Sequence, residues 1–206
     1  MYRVISSGSS GNCVIYHNSI AVDMGIPYSK IEAYKNSLQI VLLTHIHGDH
    51  FNISTIKKLA FERPTLRFAC GAFLADKLEG IKNIDILKEG RIYDYSFFKI
   101  SPIVLYHDVP NFGFRIFKDD TKIMHATDTC HLEGISAKNY NLYAIESNYN
   151  EDTVFESIRI QESKGEFAYQ KGAINSHLSE QQAREFIFRN KGENSEVLRL
   201  HESSSY

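Results

Sequence analysis

Three histidines and one aspartate lie within six residues in the segment Thr44-His45-Ile46-His47-Gly48-Asp49-His50. Imidazole rings this close repel one another when protonated and desolvate one another when neutral, unless a ligand binds between them. A divalent metal ion removes that problem, because neutral imidazole and carboxylate are common metal ligands in proteins. The segment therefore predicts a metal site.

The spacing within this cluster indicates how it could bind metal. The apolar run at residues 39–43 predicts a buried strand that leads directly into the cluster. Side chains two positions apart in an extended segment point to the same side, so His45 and His47 can bind one ion together. A turn at Gly48 would direct the last two side chains of the cluster toward a second ion. A polar loop with clustered histidines is the alternative, and the strand that leads into the cluster argues against it.

The elements that must position the cluster alternate between short strands and helices. A strand-turn-strand pattern at the N-terminus predicts an antiparallel start, and the whole chain of 206 residues is predicted to form one α/β domain over residues 1–206. Ser179 followed by Gln182 predicts a capping box at the start of the last helix. The predicted strands cover residues 2–5, 13–16, 20–25, 39–43, 66–69, 84–87, 97–105, 112–117, 122–126, 142–146 and 197–201. The predicted helices cover residues 28–36, 53–60, 72–78, 151–162 and the segment after Ser179.

Composition narrows the class of protein. A formal net charge of −2 means that no global basic field indicates nucleic acid, although a local basic patch would suffice. Cys13, Cys70 and Cys130 lack any C-x-x-C spacing, which argues against a disulfide framework or a thiolate zinc site. The N-terminus turns polar too soon for a signal peptide, and no apolar stretch approaches the roughly 20 residues of a membrane span. We expect a cytoplasmic protein that does not bind membranes.

Three further polar residues lie at the ends of predicted strands, where sites of α/β proteins are usually built. His107, Asp128 and His201 would each be ordinary residues if they stood alone. His125 and His131 flank Asp128 but alternate away from it, and we expect ordinary roles for both.

Together with the central cluster these residues give seven ligands, which suits two ions. The predicted set for one ion is His45, His47 and His107, the set for the other is Asp49, His50 and His201, and Asp128 bridges both.

Such a pair of ions predicts a specific chemistry. Two divalent ions lower the pKa of a bridging water toward neutrality and generate hydroxide. They also bind the oxygens of a phosphate or carbonyl and stabilise the charge that develops there. Asp49 could orient the hydroxide while it serves as a ligand, so we predict it to be a catalytic residue. The expected reaction is metal-assisted hydrolysis without a protein nucleophile.

The cluster at residues 44–50 resembles the signature of the metallo-β-lactamase superfamily, and His107, Asp128 and His201 follow in the order of that superfamily. The segments at residues 7–13, 146–148 and 177–179 resemble motifs of its YycJ-like (WalJ-like) branch, and the resemblance covers most of the chain. It implies a four-layer αββα sandwich with two mixed β-sheets. It also implies two divalent ions, zinc in preference to manganese. The implied reaction is phosphodiester hydrolysis, with exonuclease activity on DNA.

Some positions depart from the pattern of this branch. Tyr149-Asn150 stands where the branch usually has His-Asp, and Cys130 stands near the bridging aspartate where a glycine is usual. Glu202 stands in place of leucine in the closing motif. These changes leave the predicted metal ligands intact and affect the surroundings of the substrate.

Several residues are predicted to contact the substrate. His177 lies just before the capping box, where a helix start favours phosphate, so it is predicted to contact phosphate or to protonate the leaving alcohol. The alternative is a histidine that packs within the capping loop. Ser9 and Asn12 could donate hydrogen bonds to the substrate, although a tight turn beneath the metal site is slightly favoured for their loop. Asn148 and Ser176 complete the predicted substrate-binding residues.

These features predict a dinuclear metal-dependent hydrolase, first of all a phosphodiesterase that acts on DNA or RNA with a metal-bridging hydroxide as nucleophile. A basic groove would be required, and Lys57, Lys58, Arg63 and Lys171 could line one. The net charge of −2 favours an alternative, a hydrolase of small molecules such as cyclic nucleotides, lactones or thioesters. A second alternative is an inactive metal-binding module.

Overall fold

The computed structural model describes residues 1–165 and 170–201. Its twelve named strands form two mixed β-sheets of six strands each. Glu202, at which the closing motif departs from the pattern, lies outside these described residues. The chain divides into two compact units. The first unit consists of residues 1–91 and 109–112, and the second consists of residues 92–108 and the described residues from 113 onward. The prediction of one domain over residues 1–206 stays a prediction.

The first sheet has the strand order β1-β2-β3-β4-β5-β6. The pairs β1–β2 and β2–β3 are antiparallel, as the strand-turn-strand pattern predicts, and the remaining pairs are parallel. Its strands are β1 (Tyr2–Ser6), β2 (Cys13–Tyr16), β3 (Ile20–Val22), β4 (Ile40–Leu43), β5 (Arg67–Gly71) and β6 (Ile84–Leu87). Because β3 and β4 are parallel and paired in register, the residues that follow them emerge at one edge of the sheet.

The helices of the first unit are α1 (Tyr28–Ile31), α2 (Ile53–Glu62) and a 3₁₀ helix (Ala72–Leu78). Asn52 caps α2 by accepting a hydrogen bond from the Thr55 amide at 3.1 Å. The α2 face that carries Ile56 and Leu59 is buried in the apolar core of this unit.

The prediction of a helix over residues 28–36 is wrong beyond Ile31, where α1 ends and a series of turns begins. Only Ile31 of α1 is buried, so no continuous apolar stripe holds the segment in helical form. The Arg63 side chain instead binds the carbonyl oxygens of Lys35 and Leu38.

The second sheet has the strand order β12-β11-β10-β9-β8-β7. Its strands are β7 (Tyr93–Asp94), β8 (Lys99–Leu105), β9 (Asn111–Lys118), β10 (Thr121–Ala126), β11 (Leu142–Glu146) and β12 (Glu196–Leu200). Strands β10, β11 and β12 are mutually parallel, and Ala126 pairs with Ile145 while Glu146 pairs with Leu200. The carboxyl ends of three strands therefore meet at one edge, and polar residues at these ends come close together.

The second unit carries α3 (Glu151–Ser163), α4 (Gln170–Ser176) and α5 (Glu180–Asn190). Helix α4 has no counterpart among the sequence predictions. An apolar cluster beneath α5 joins Ala183 and Phe186 to Tyr143 and Ile145 of β11. The predicted capping box of α5 is confirmed by reciprocal hydrogen bonds between Ser179 and Gln182.

The three cysteines are free thiols, and burial raises the pKa of the Cys70 thiol to about 12. Thiols of such high pKa react slowly with disulfides, as expected for buried packing residues. None of the helices in the described part of the chain combines the length and apolarity that crossing a membrane requires.

Substitution of Ser179 by alanine tests the capping box. The hydroxyl accepts from the Gln182 amide at 3.0 Å and donates to the Glu151 carboxylate at 2.6 Å, so Ser179→Ala removes two hydrogen bonds. We expect the free energy of unfolding to fall by about 1–2 kcal/mol, measured by urea denaturation. Ser163→Ala is the matched control, because that exposed hydroxyl bonds only locally to the Ile160 carbonyl, and we expect a change below about 0.5 kcal/mol. Equal unfolding midpoints for the two variants would contradict the capping assignment.

Candidate metal centre

The four metal ligands predicted within residues 45–50 lie together in the first unit, immediately after β4. The rings of His45 and His47 have centroids 4.8 Å apart, and those of His45 and His50 have centroids 4.3 Å apart. The Asp49 carboxylate lies 3.6 Å from Nε2 of His50. The chain turns here, with the amides of His50 and Phe51 both donating to the His47 carbonyl. We call these four residues the first ligand group.

The first ligand group depends on a buried aspartate, Asp23, which follows β3. Its carboxylate accepts hydrogen bonds from the Thr44 amide at 2.9 Å and from the Thr44 hydroxyl at 2.8 and 3.0 Å. It also accepts from Nδ1 of His50 at 2.6 Å. Asp23 has a φ of 62°, in the left-handed region that only a few per cent of non-glycine residues adopt. This backbone turns the side chain of Asp23 toward the next strand, β4.

The hydrogen bonds of Thr44 determine which nitrogen of His45 can bind metal. The single hydroxyl proton of Thr44 goes to Asp23, so the hydroxyl oxygen acts as acceptor toward His45 Nδ1, which lies 2.9 Å away. The proton of neutral His45 is therefore on Nδ1, and Nε2 carries the lone pair. An outer partner that fixes the tautomer in this way is the usual arrangement around metal-binding histidines.

The same logic applies to His50, whose Nδ1–H donates to Asp23. Its Nε2 carries the lone pair and accepts from the Asn12 amide at 2.8 Å. Asn12 also contacts the carboxylate and the carbonyl oxygen of Asp49, both at 3.2 Å. Asn12 is buried, and its contacts make it a residue that holds the Asp49–His50 turn in place. Its predicted contact with substrate stays a prediction.

The backbone of Gly25 packs directly against the backbone of the Asp49–His50 turn. A Cβ atom added to Gly25 would lie 1.7 Å from the Asp49 carbonyl oxygen and 2.5 Å from the His50 nitrogen. No side chain fits at this position, because the neighbouring atoms belong to the backbone and cannot move aside alone. A Cβ on Gly48 would meet no atom within 4 Å, so the turn itself does not require a glycine there.

Alanine substitutions at the two glycines test this packing. Gly25→Ala forces the Asp49–His50 turn away, and we expect a loss of about 1–3 kcal/mol or more in the free energy of unfolding, together with weaker metal binding. Gly48→Ala is the matched control in the same loop, and we expect a change below about 0.5 kcal/mol. Urea denaturation and zinc competition against a chromogenic chelator measure both effects. The assignment would be wrong if Gly25→Ala bound zinc as tightly as Gly48→Ala.

A second substitution tests the tautomer argument at Asp23. Asp23→Asn preserves shape, but its amide group must present a donor toward either Thr44 or His50, which both donate in the native arrangement. We expect zinc affinity to fall by about 10- to 100-fold, with the far-ultraviolet circular dichroism spectrum retained. Chelator competition at several pH values measures the affinity. An unchanged zinc affinity would show that Asp23 does not orient the ligands.

The second unit gathers another group of potential ligands at the carboxyl ends of β10, β11 and β12. Asp128, Glu146, His177 and His201 each offer a ligand atom, and these atoms all lie within 4.8 Å of one another. We call these four residues the second ligand group. Asp128 and His201 both have left-handed backbone, with φ of 57° and 53°. Strained backbone of this kind is concentrated at functional sites, and here it turns the side chains back over the ends of their own strands.

Glu146 organises the second ligand group. Its carboxylate is fully buried and accepts from Nδ1 of His177 at 2.5 Å, from the Thr129 amide at 3.1 Å and from the Leu178 amide at 3.3 Å. These bonds join the loop after Asp128 to the segment that carries His177. Burial alone would lower the pKa of His177, but the hydrogen bond to Glu146 and the charges of Glu146 and Asp128 outweigh it. The net effect is a raised pKa for His177.

His107, the remaining predicted ligand, lies beside this group in the second unit. Its Nδ1 donates to the Ser176 carbonyl at 2.8 Å, and its ring centroid lies 5.3 Å from that of His177. Burial lowers the pKa of His107, so the ring is held neutral with the lone pair on Nε2. The Asp108 carboxylate lies 3.0 Å from that nitrogen. Two electron-rich groups this close favour a cation between or beside them.

The donor sets of both units fit a divalent metal. Imidazole and carboxylate make up each set, and the tautomers of His45, His50 and His107 leave the lone pair on Nε2. Asp23 and Glu146 are buried anions, and among the described residues neither forms an ion pair with lysine or arginine. The histidines His50 and His177 are instead their close partners, and a cation bound beside these rings would further stabilise the buried negative charge.

The predicted substrate residues have different surroundings. Ser9 is exposed in the turn after β1. Asn148 donates to the His201 carbonyl at 3.0 Å and contacts its Nδ1 at 3.2 Å, so it supports a predicted ligand. Ser176 accepts from His107 through its carbonyl and donates through its hydroxyl to the Gly172 carbonyl at 2.9 Å.

Two of the departures from the branch pattern also lie in the second unit. The Cys130 carbonyl accepts a hydrogen bond from the side-chain amide of Gln182 in α5 at 3.4 Å. Tyr149 is buried beside α3. Burial raises the pKa of the Tyr149 hydroxyl to about 12, so this side chain stays neutral where the branch pattern has histidine.

Three of the four basic residues predicted to line a groove have intramolecular contacts. Arg63 binds backbone carbonyls, and Lys58 lies 3.8 Å from the centre of the Tyr28 ring. Lys171 pairs with Glu162 at 2.5 Å. Lys57 lines a surface cavity together with Phe61.

Asp23 and Glu146 organise the candidate site, yet the sequence analysis assigned neither a role, although Glu146 begins the motif at residues 146–148. Glu146 ends a predicted strand, the same signal that indicated Asp128, whereas Asp23 lies inside the strand predicted over residues 20–25 and follows β3 only because that strand ends at Val22. Their importance comes from burial and from the number of hydrogen bonds they accept, neither of which the sequence displays.

The comparison with known families agrees with this fold and chemistry. The sequence model described as "Beta-lactamase superfamily domain" matches residues 13–142, more than half of the chain. The protein therefore belongs to this family, and its two mixed sheets have the predicted metallo-β-lactamase fold. It is a metal-dependent hydrolase of that fold, with histidine and aspartate residues positioned to bind metal.

Solved structures with the same fold share little sequence with this chain. The metallo-β-lactamase fold protein YhfI from Bacillus subtilis has a TM-score of 0.75 and 18% identity, over 100% of this chain and 87% of that one. The short form of human tRNase Z has a TM-score of 0.70 and 14% identity, over 100% and 93% of the two chains. A diphosphatase of the PhnP family has a TM-score of 0.68 and 13% identity, over 98% and 85%. No curated protein matches the sequence.

Proposed function

We propose that this protein is a phosphodiesterase of the YycJ-like branch that acts on nucleic acid in the cytoplasm with two divalent ions. Both ions are zinc in this proposal, with manganese as the alternative. The observation that carries the proposal is the Glu146–His177 pair in the second ligand group. A buried carboxylate holds His177 by a 2.5 Å hydrogen bond, within 3.4 Å of Asp128, and raises its pKa. The pair is suited to deliver a proton to a departing alkoxide.

The need for such a donor follows from the leaving group. Cleavage of a phosphodiester between nucleosides releases an alkoxide, which is a poor leaving group unless it is protonated as the bond breaks. Thioester hydrolysis releases a thiolate, which leaves without such help. In our proposal Nδ1–H of His177 stays bonded to Glu146, and the proton moves from Nε2 to the alcohol oxygen.

The remaining roles follow from the ligand predictions. His45, His47 and His107 would hold one ion, Asp49, His50 and His201 the other, and Asp128 would contact both. Bound divalent ions supply Lewis acidity and lower the pKa of water, so that hydroxide is available near neutral pH. Asp49, which Asn12 holds in place, would orient that nucleophile.

Support for a nucleic-acid substrate comes from the motifs at residues 7–13, 146–148 and 177–179. Two of the structures with the same fold carry the names of a tRNase and a diphosphatase, which is in keeping with phosphoryl chemistry here. Free cysteines in the described chain accord with a cytoplasmic location.

A hydrolase of small molecules is the second candidate. One observation favours it: Lys58, Arg63 and Lys171, three of the four residues expected to bind a nucleic-acid backbone, contact groups of the protein itself. The net charge of −2 points the same way.

Hydrolysis of two phosphodiesters with different leaving groups tests the proposed function. Bis(p-nitrophenyl) phosphate releases a stable anion, whereas a thymidine dinucleotide releases an alkoxide. We expect metal-analysed protein to contain two ions per chain and to cleave both compounds. His177→Gln should lower kcat on the dinucleotide by about 100- to 10,000-fold, but lower it by less than about 10-fold on bis(p-nitrophenyl) phosphate.

Asp128→Asn is the comparison variant, because loss of a metal-binding carboxylate should reduce the cleavage of both compounds equally. Protein without bound metal would refute the metal centre. Two ions with turnover only of thioesters or lactones would favour the second candidate. Two ions with no turnover of any of these compounds would indicate a metal-binding module without catalysis.

A further inference from the structure

An aromatic pair outside the two ligand groups lies next to them in the chain. The rings of Tyr106 and His131 stack with centroids 4.2 Å apart and an interplanar angle of 25°. Tyr106 directly precedes His107, and His131 lies three residues after Asp128. The pair is therefore built from the same two segments that carry two predicted metal ligands of the second unit.

Backbone hydrogen bonds hold the two segments together. The Tyr106 amide donates to the Thr129 hydroxyl at 3.0 Å, and the Cys130 amide donates to the Tyr106 carbonyl at 2.8 Å. The Thr129 hydroxyl in turn donates to the His131 carbonyl at 2.9 Å. These hydrogen bonds fix the backbone segments that carry the two rings. Only three residues along the chain separate His131 from Asp128.

A further bond orients the His131 ring. Its Nδ1 accepts from the Glu133 amide at 3.3 Å, which places the proton of the neutral ring on Nε2. The ring cannot rotate without losing this bond, so it presents a constant face to Tyr106.

Packing does not explain why Tyr106 lies at the surface. Tyr106 is 48% exposed, and neither ring belongs to the apolar core of the second unit. One face of the Tyr106 ring is covered by His131, and about half of the residue remains accessible to a ligand. A preformed, rigid aromatic surface of this kind binds planar rings with little loss of conformational entropy.

We propose that the Tyr106–His131 stack is a nucleobase platform, on which a base next to the cleaved phosphodiester lies against Tyr106 while His131 positions the tyrosine ring. This inference rests on the proposed function and specifies its substrate class. A base stacked on an aromatic side chain contributes binding free energy without sequence preference, since every base presents a π face. The platform would also bind a nucleotide without a basic groove, since Lys58 and Lys171 already contact groups of the protein itself.

The test compares substrates with and without a base but with the same leaving group. Thymidine 5′- and 3′-(p-nitrophenyl phosphate) carry a base, methyl p-nitrophenyl phosphate does not, and all three release p-nitrophenolate. We expect wild-type holoenzyme to prefer the better thymidine ester in kcat/KM, chiefly through a lower KM. Tyr106→Leu should reduce that preference by about 5- to 150-fold, and Tyr106→Phe, which retains the ring, should preserve it.

Tyr95→Leu is the matched control. Tyr95 stacks on Phe98 with centroids 5.1 Å apart, but this pair lies in the β7–β8 turn, away from the segments with ligands. We expect the preference of Tyr95→Leu for the thymidine ester over the methyl ester to equal that of the wild type. Zinc content should be equal in all variants.

A binding measurement separates failure of the platform from failure of the proposed function. A methylphosphonate-linked dinucleotide that contains 2-aminopurine resists cleavage, and its fluorescence falls when the base stacks. Quenching by wild-type holoenzyme and its loss in Tyr106→Leu would support the platform even if no phosphodiester were cleaved. Cleavage of the thymidine and methyl esters with equal kcat/KM, or a preference unchanged in Tyr106→Leu, would overturn the platform while the proposed function stood.

Discussion

The first ligand group depends on the hydrogen bonds that the carboxylate of Asp23 accepts. One buried anion accepts from the Thr44 amide, the Thr44 hydroxyl and His50 Nδ1, and through the hydroxyl it also determines the tautomer of His45. Two imidazoles are thereby oriented by a single residue from a neighbouring strand. Glu146 has the corresponding place in the second unit, where it joins His177 to the loop after Asp128. Each unit thus has one buried carboxylate that organises its metal-binding residues.

The topology explains why these residues can meet. Within each unit most of the candidate ligands follow parallel neighbours, β3 and β4 in the first sheet and β10, β11 and β12 in the second, whereas His107 follows β8 and His177 lies between α4 and α5. Parallel strands end at a common edge, so residues distant in sequence become neighbours there. Left-handed backbone at Asp23, Asp128 and His201 then turns the side chains across that edge. Antiparallel strands at the same places would put consecutive ends on opposite edges and disperse the ligands.

This dependence on strand ends also explains how much the sequence could predict. The apolar runs before His45, His107 and Asp128 are visible in the sequence, and the strands they predict are present in the structure with ends shifted by one or two residues. The capping box at Ser179 is visible because its two residues are three apart and interact locally. Asp23 and Glu146 were missed because their role depends on acceptors and donors from distant segments.

The helix predicted over residues 28–36 failed for a related reason. The pattern of residue types there permits a helix, but only tertiary packing decides whether a short segment remains helical. Arg63, almost thirty residues further along the chain, binds carbonyl oxygens in the segment after Ile31 and stabilises turns instead. Helix α4 was missed because its seven residues contain too few apolar positions to show a period.

The contact of Gly25 with the Asp49–His50 turn ties the first ligand group to the strands that precede it in the chain. Asn12, Gly25 and His50 come from widely separated points of the chain, yet their backbones are in direct contact. Closing loops of this length carries an entropic cost that only the completed strands β2, β3 and β4 repay. The geometry of the first ligand group therefore depends on the completed pairing of β2, β3 and β4.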